Sequence, residues 1–297
     1  MPMMRNNIIR PAEFWENTDD GVVQCHLCPK HCRILKDATG ACGVRKNMSA
    51  GLYASEYGIV SALALDPIEK KPLYMFHPGS QILSVGGFGC NFHCPFCQNF
   101  EISLEYKNPK QLRGGRLMSA EEIASQALNT AAVGNIGVAY TYNEPLIAYE
   151  FLIDCARAVH KAGLKNVLVT NGCINPKPLQ TLLPHIDAMN IDLKAFSKEF
   201  YKKIGGNIES VKNTIKLAAE KCHVEITTLV IPGENEHDIE AISKWLSEIS
   251  PQIPLHLSRF FPRYKYLGKA ATPIETIKRL QKTAQKYLQN VFIGNVR

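Results

Sequence analysis

No stretch of this sequence approaches the ~18 consecutive apolar residues that a helix needs to cross a bilayer, which excludes a helical membrane protein. The start, Met1-Pro2-Met3-Met4-Arg5-Asn6-Asn7, lacks the apolar stretch of a secretory signal, so the expected location is cytoplasmic. Low-complexity tracts are missing, as are internal repeats beyond a strand-helix alternation, which argues against fibrous and solenoid folds. Acidic residues are scarce in one region. Between Arg259 and Arg297 nine Lys or Arg stand against Glu275 alone, enough to account for the whole net charge of +7. Such a tail could meet nucleic acid or an acidic partner. However, in the helix expected from Thr272 to Leu288 the basic residues lie opposite Ile274, Ile277, Leu280 and Ala284, which reads as a solvated face. What remains is a chain of 297 residues, 45% hydrophobic and 21% charged, with room for one large α/β domain or two ordinary ones.

Cysteine is the exception to this scarcity, and its ten copies are clustered. Cys90, Cys94 and Cys97 share the run Gly89-Cys90-Asn91-Phe92-His93-Cys94-Pro95-Phe96-Cys97, three thiols within eight residues. A zinc ion with His93 as fourth ligand, or plain buried thiols, are the bland readings, but this density exceeds core usage. A 4Fe-4S cluster normally takes four cysteinates. A loop that offers three leaves one iron open, and S-adenosylmethionine (SAM) can chelate it through its amino and carboxylate groups. A second group, Cys25, Cys28, Cys32 and Cys42, reads as one closed four-thiolate site holding either zinc or an auxiliary 4Fe-4S cluster. Metal-like spacings argue for a reducing compartment rather than a disulfide framework.

Downstream of the Cys90 loop, short apolar runs predict strands at Ile82 to Val85, Gly137 to Tyr142, Asn166 to Thr170, Ala188 to Leu193, Val224 to Ile231, Leu255 to Phe260 and Asn290 to Ile293. Helices are expected between them. One opens on the capping box at Ser119 and runs to about Ala132, and others cover Pro145 to Ala162, Ile208 to Lys221, Glu236 to Ile249 and Thr272 to Leu288. The expected fold is therefore α/β, a partial, open (β/α)6 barrel over residues 76–297 behind a small cysteine-rich, metal-binding N-terminal domain over residues 1–75. Parallel barrels react at the loops after their strand C-termini, which is where the Cys90 loop falls.

The other strand ends carry groups suited to SAM. Glu144, after Tyr142-Asn143, is placed to accept from its ammonium, or else to stabilise a helix N-terminus. Thr170 and Asn171 suit ribose hydroxyls or a carboxylate, or form a polar turn with Gly172. Asp192 and Lys194 point to one side of their strand, into the lumen or into an ion pair. His256 could meet the adenine or sit satisfied in the core.

These motifs, together with Cys28-Pro29, Gly40-Ala41-Cys42-Gly43-Val44-Arg45, Asp66-Pro67-Ile68-Glu69-Lys70-Lys71-Pro72-Leu73-Tyr74 and Gln98-Asn99, resemble the radical SAM family related to the pyruvate formate-lyase activating enzyme, in particular its AmmeMemoRadiSam system branch. The aromatic Phe96 before the third cysteine belongs to that signature. The resemblance implies a radical SAM barrel, a cluster on Cys90, Cys94 and Cys97, SAM at the strand ends with contacts from Asn143 and Glu144, and reductive cleavage of SAM to a 5'-deoxyadenosyl radical. It further implies an electron donor such as flavodoxin or ferredoxin, and a protein substrate if the enzyme activates a glycyl radical enzyme. A small molecule or another target within the same system is the alternative. A non-catalytic, metal-stabilised nucleic-acid module is a third reading, disfavoured because such modules need no barrel.

Overall fold

The computed structural model describes residues 10–18, 21–48, 51–105 and 115–296. Arg297 of the basic tail and the Met1 to Asn7 start lie outside them. One eight-stranded sheet organises the chain: β1 (Ala62–Pro67), β2 (Gln81–Gly86), β3 (Asn135–Tyr140), β4 (Lys165–Thr170), β5 (Ala188–Asp192), β6 (His223–Val230), β7 (Leu255–Arg259) and β8 (Val291–Gly294). Their spatial order is their sequence order, with β2 to β8 parallel and β1 pairing antiparallel with β2. Parallel strands are covered on both faces, and so they read as apolar runs. In β5, for example, Ala188, Met189 and Ile191 are all fully buried.

The crossovers are α1 (Ala120–Asn129), α2 (Tyr149–Lys161), α3 (Pro176–Leu182), α4 (Lys198–Lys203), α5 (Ile208–Ala219), α6 (Ile239–Ile249) and α7 (Ile274–Ala284). The capping box is formed as expected: Ser119 Oγ accepts from Glu122 N at 3.1 Å while Glu122 Oε2 accepts from Ser119 N at 2.7 Å. In α7, Ile277, Leu280 and Ala284 are buried while Lys278, Arg279 and Lys282 are exposed, which is the solvated basic face.

Ahead of this sheet, two small antiparallel sheets carry the first cysteines. One is built from Arg10–Pro11, Gly51–Ala54 and Arg45–Met48, the other from Trp15–Asn17, Val23–Cys25 and Arg33–Ile34. The segment before residue 76 also supplies β1 to the large sheet.

Beneath the barrel, Glu225 is fully buried and accepts from Tyr74 N (3.0 Å), Met75 N (2.8 Å), His223 Nε2 (2.9 Å) and His256 Nε2 (2.6 Å). Burial alone would raise its carboxyl, but these donors win and hold it at about 2. Glu225→Ala would strand these donors, and because each buried donor left unmade costs about 1–3 kcal/mol, the urea midpoint should fall accordingly. A loss under about 1 kcal/mol, the worth of an ordinary neutral hydrogen bond, would mean that the carboxylate does not hold this end together.

Candidate active site

The cysteine loop leaves β2 through Gly86 and Gly87, and its course is fixed by side chains from the next strand. Asn143 Oδ1 accepts from Gly87 N at 2.9 Å and its Nδ2 donates to the Gly89 carbonyl at 3.1 Å, while Asn99 Nδ2 donates to the Tyr142 carbonyl at 2.6 Å. Tyr142 itself sits at φ +72°, an uncommon conformation for a residue with a side chain, at the turn out of β3. Gly89 has φ +87°, and a Cβ there would lie 2.6 Å from the Cys42 carbonyl oxygen. Only glycine permits that approach. The N-terminal cysteine segment therefore packs directly against the residue before Cys90.

Within the loop, Cys94 is buried and Cys90 and Cys97 are half-buried. The Cys90 sulfur accepts from Phe92 N at 3.3 Å and from Asn171 Nδ2 at 3.8 Å. Burial pushes the Cys90 thiol well above its ordinary value, and the nearby Glu144 charge adds to this. The Cys94 thiol is pushed up to about 12 by burial, with Lys194 opposing, and Cys97 is raised chiefly by burial too. Three mutually interacting thiols that resist ionisation by themselves suit a cationic guest that takes their thiolate forms. Among the described residues, no three His, Cys, Asp or Glu side chains are grouped so as to hold a lone metal ion. A cuboidal cluster places its ligands at separate corners and asks for no such convergence.

Glu144, buried to 2% exposure, ties two strand ends together. Its Oε1 accepts from Thr170 Oγ1 (2.6 Å) and Leu146 N (3.0 Å), and its Oε2 accepts from Asn171 N (2.7 Å). Burial raises its carboxyl to about 7, against the pull of those three donors. Thus it does cap the turn Pro145–Ala148, and one lone pair on Oε2 remains for another donor. Asp192 and Lys194 form an ion pair at 2.7 Å beside the cluster loop. Although burial works against it, the Lys194 ammonium is held above its ordinary value by Asp192 and Cys94. Phe96 is buried between Phe200 and Tyr266, with ring centroids 6.1 and 5.9 Å away.

Cys90, Cys94, Cys97, Phe96, Asn143, Glu144, Thr170, Asn171, Asp192 and Lys194 therefore gather at one end of the sheet. His256 does not join them. It is the second residue of β7, bonded to Glu225 and stacked on Phe292 at 5.2 Å, so the adenine contact expected for it is replaced by the core role.

Two further groups, Asn91 at this end and Asp66 opposite Ile82 near the start of β2, were given no role by the sequence. Asn91 Oδ1 accepts from Asn171 Nδ2 at 2.8 Å and its Nδ2 donates to the Cys173 carbonyl at 2.9 Å, which clamps the loop to the end of β4. Asp66 accepts from Lys71 (2.9 Å), Ser84 (3.0 Å) and Tyr142 Oη (3.0 Å). Despite burial, the hydrogen bonds from Lys71 and Lys70 hold its carboxyl well below the usual range. The charge alternation of Asp66 to Lys71 was the one available signal.

The other four cysteines also share one site. Cys25, Cys28, Cys32 and Cys42 line one small pocket together with Leu27, Lys30, His31, Ile34, Arg45 and Ile147. No disulfide joins any cysteines among the described residues.

A singly wound parallel sheet with three thiols on the loop after its first parallel strand, facing polar strand ends, defines a radical SAM enzyme, and the matching of residues 84–246 to the Radical SAM superfamily shows that the chain belongs to that family. Enzymes of this family carry out radical-based redox chemistry with SAM and a 4Fe-4S cluster. Among its relatives, an uncharacterized protein of Methanocaldococcus jannaschii is 42% identical over 97% of this chain and 86% of its own length. A second protein of that organism, provisionally named a glycyl-radical enzyme activating enzyme, is 28% identical over 70% of this chain and 87% of its own. The solved structure of TYW1 with a lysine-pyruvate adduct bound shares the fold, with a TM-score of 0.51 and 18% identity, covering 76% of this chain and 84% of that one. No helix among the described residues is long and apolar enough to cross a membrane.

Proposed function

We propose that Cys90, Cys94 and Cys97 hold three irons of a 4Fe-4S cluster and that SAM occupies the strand ends around Glu144, in an enzyme that abstracts hydrogen from a glycine of a protein partner. When bound, the cluster supplies the electron that cleaves SAM to a 5'-deoxyadenosyl radical. Glu144 accepts the SAM ammonium on its remaining lone pair, while Thr170 and Asn171 hold that carboxylate and the Cys90 sulfur in register. The Asp192–Lys194 pair flanks the same pocket, and Lys194 offsets the anionic charge gathered at Cys94. Phe96 keeps the loop packed against Phe200 and so limits water at the cluster. The observation that carries this reading is the convergence of three thiols from one loop on the ends of β3, β4 and β5. The named activating-enzyme relative supports a protein as target. A one-electron donor such as flavodoxin or ferredoxin completes the reaction. As a test, adding SAM to the reduced, reconstituted protein should change the electron paramagnetic resonance spectrum of its cluster. An unchanged spectrum would mean that SAM does not reach the open iron.

In the same reading, residues 1–75 form a metal-binding domain that lends Ala62–Pro67 to the sheet of the barrel at 76–297. Its ligands are Cys25, Cys28, Cys32 and Cys42, and the guest is an auxiliary 4Fe-4S cluster or, with the four thiols drawn closer together than they stand here, zinc. Total iron of about eight per reconstituted chain would identify a second cluster, and about four with one zinc would identify a structural ion. Finding neither extra iron nor zinc in the reconstituted protein would contradict the closed site.

A further inference from the structure

Arg45 stands where the N-terminal cysteines meet the barrel. Its side chain is 1% exposed and lines the pocket formed by Cys25, Cys28, Cys32 and Cys42. On the barrel side, Nη1 donates to Glu150 Oε1 at 3.0 Å, from the first turn of α2, and Nη2 donates to the Glu13 carbonyl. Glu13 N closes the arrangement by donating to Glu150 Oε1 at 2.7 Å. Nε, by contrast, is buried without any hydrogen-bond partner. A buried, charged N–H left unmade is expensive, so such a group implies a partner that arrives later.

The rest of the pocket wall is apolar at Leu27, Ile34 and Ile147 and carries Lys30 and His31 at its more exposed side, so Arg45 is its fully buried cation. Four thiolates around a zinc ion, or around an oxidised 4Fe-4S core, carry a formal charge of about −2 in either case. Burying that charge among apolar side chains calls for a counter-ion.

We propose that Arg45 is the built-in counter-charge of the four-cysteine centre, its Nε–H donating to a thiolate sulfur of the filled site while Glu150 anchors the guanidinium from the barrel. Arg45 is thus a positioning residue rather than a ligand, and its role is the same for either metal. The proposal rests on the reading of the four cysteines as one closed centre, and the test separates the two.

The experiment uses full-length chain carrying C90A, C94A and C97A, so that any metal left belongs to the N-terminal site. After anaerobic reconstitution with iron, sulfide and zinc, metal per chain is counted and its release to a chelator is timed. The double variant R45M/E150Q removes both buried charges and strands neither. Losing one charge-assisted hydrogen bond should release the metal about ten- to a hundredfold faster, with the thermal transition of the barrel retained. E150Q alone, which leaves the cation in place, should release no faster than its parent. R45K, which keeps the charge without the Nε–H, should fall between, and it decides the matter if the double variant does not fold. Parental release rates in R45K and R45M/E150Q would overturn the proposal, as would E150Q and R45M/E150Q loosening the metal equally, the mark of a mere strut. A parent that binds no metal would defeat the closed-centre reading itself, and the counter-charge with it.

Discussion

Cys94→Ala is expected to reduce SAM cleavage to the level of cluster-free protein. The three thiols sit on one loop, and each can occupy only one corner of a cluster that normally has four cysteinates. With the fourth iron reserved for SAM, no spare ligand remains. Cys94 is also the buried member of the set, 8% exposed, so its loss cannot be made good by water without opening the loop. The fold should survive, because Cys94 contributes no hydrogen bond across the sheet and the loop stays anchored by Asn91, Asn143 and Asn99. Iron content and 5'-deoxyadenosine are the two readouts, and both should drop together. Parental 5'-deoxyadenosine from Cys94→Ala would remove this loop from the chemistry.

Glu144→Gln comes next in expected size. A charge-assisted hydrogen bond is worth roughly 1.5–3 kcal/mol, which corresponds to about ten- to a hundredfold weaker SAM binding. Glutamine keeps the shape and one acceptor oxygen, so the contacts to Thr170 and Leu146 can persist. The visible spectrum of the cluster should therefore be unchanged. Because burial raises the Glu144 carboxyl to about 7, the unliganded site binds a proton below that pH, and an ammonium must displace it. SAM affinity should accordingly weaken as the pH falls through about 7 in the parent, and the variant should lack this dependence. Equal affinity in variant and parent would return Glu144 to capping the Pro145–Ala148 turn and nothing more.

The parts of the fold that the sequence displays are those with a strong local pattern. All seven parallel strands fall within two residues of their expected starts, since strands buried on both faces are continuous apolar runs. β1 escapes because it is an edge strand, with Leu65 37% exposed and Pro67 at its end. The helices α3 and α4 escape because seven and six residues give too little periodicity to recognise. The thiol ligands are legible from spacing alone. Asn91 and Asp66 are not, since each acts through partners far along the chain, Cys173 for one and Tyr142 for the other. His256 shows the limit of counting strands without counting along them. Glu144, Asn171 and Lys194 all follow the last residue of their strands, whereas His256 is the second residue of its own, which puts it at the opposite end.

Reductive cleavage of SAM at the Cys90, Cys94 and Cys97 loop is the activity proposed for this chain. The most direct measurement is anaerobic reconstitution with iron and sulfide, followed by incubation with dithionite and SAM and quantification of 5'-deoxyadenosine against a C90A/C94A/C97A control. The parent should yield 5'-deoxyadenosine and the control none. A fully iron-loaded parent that yields no more than the control would contradict that proposal.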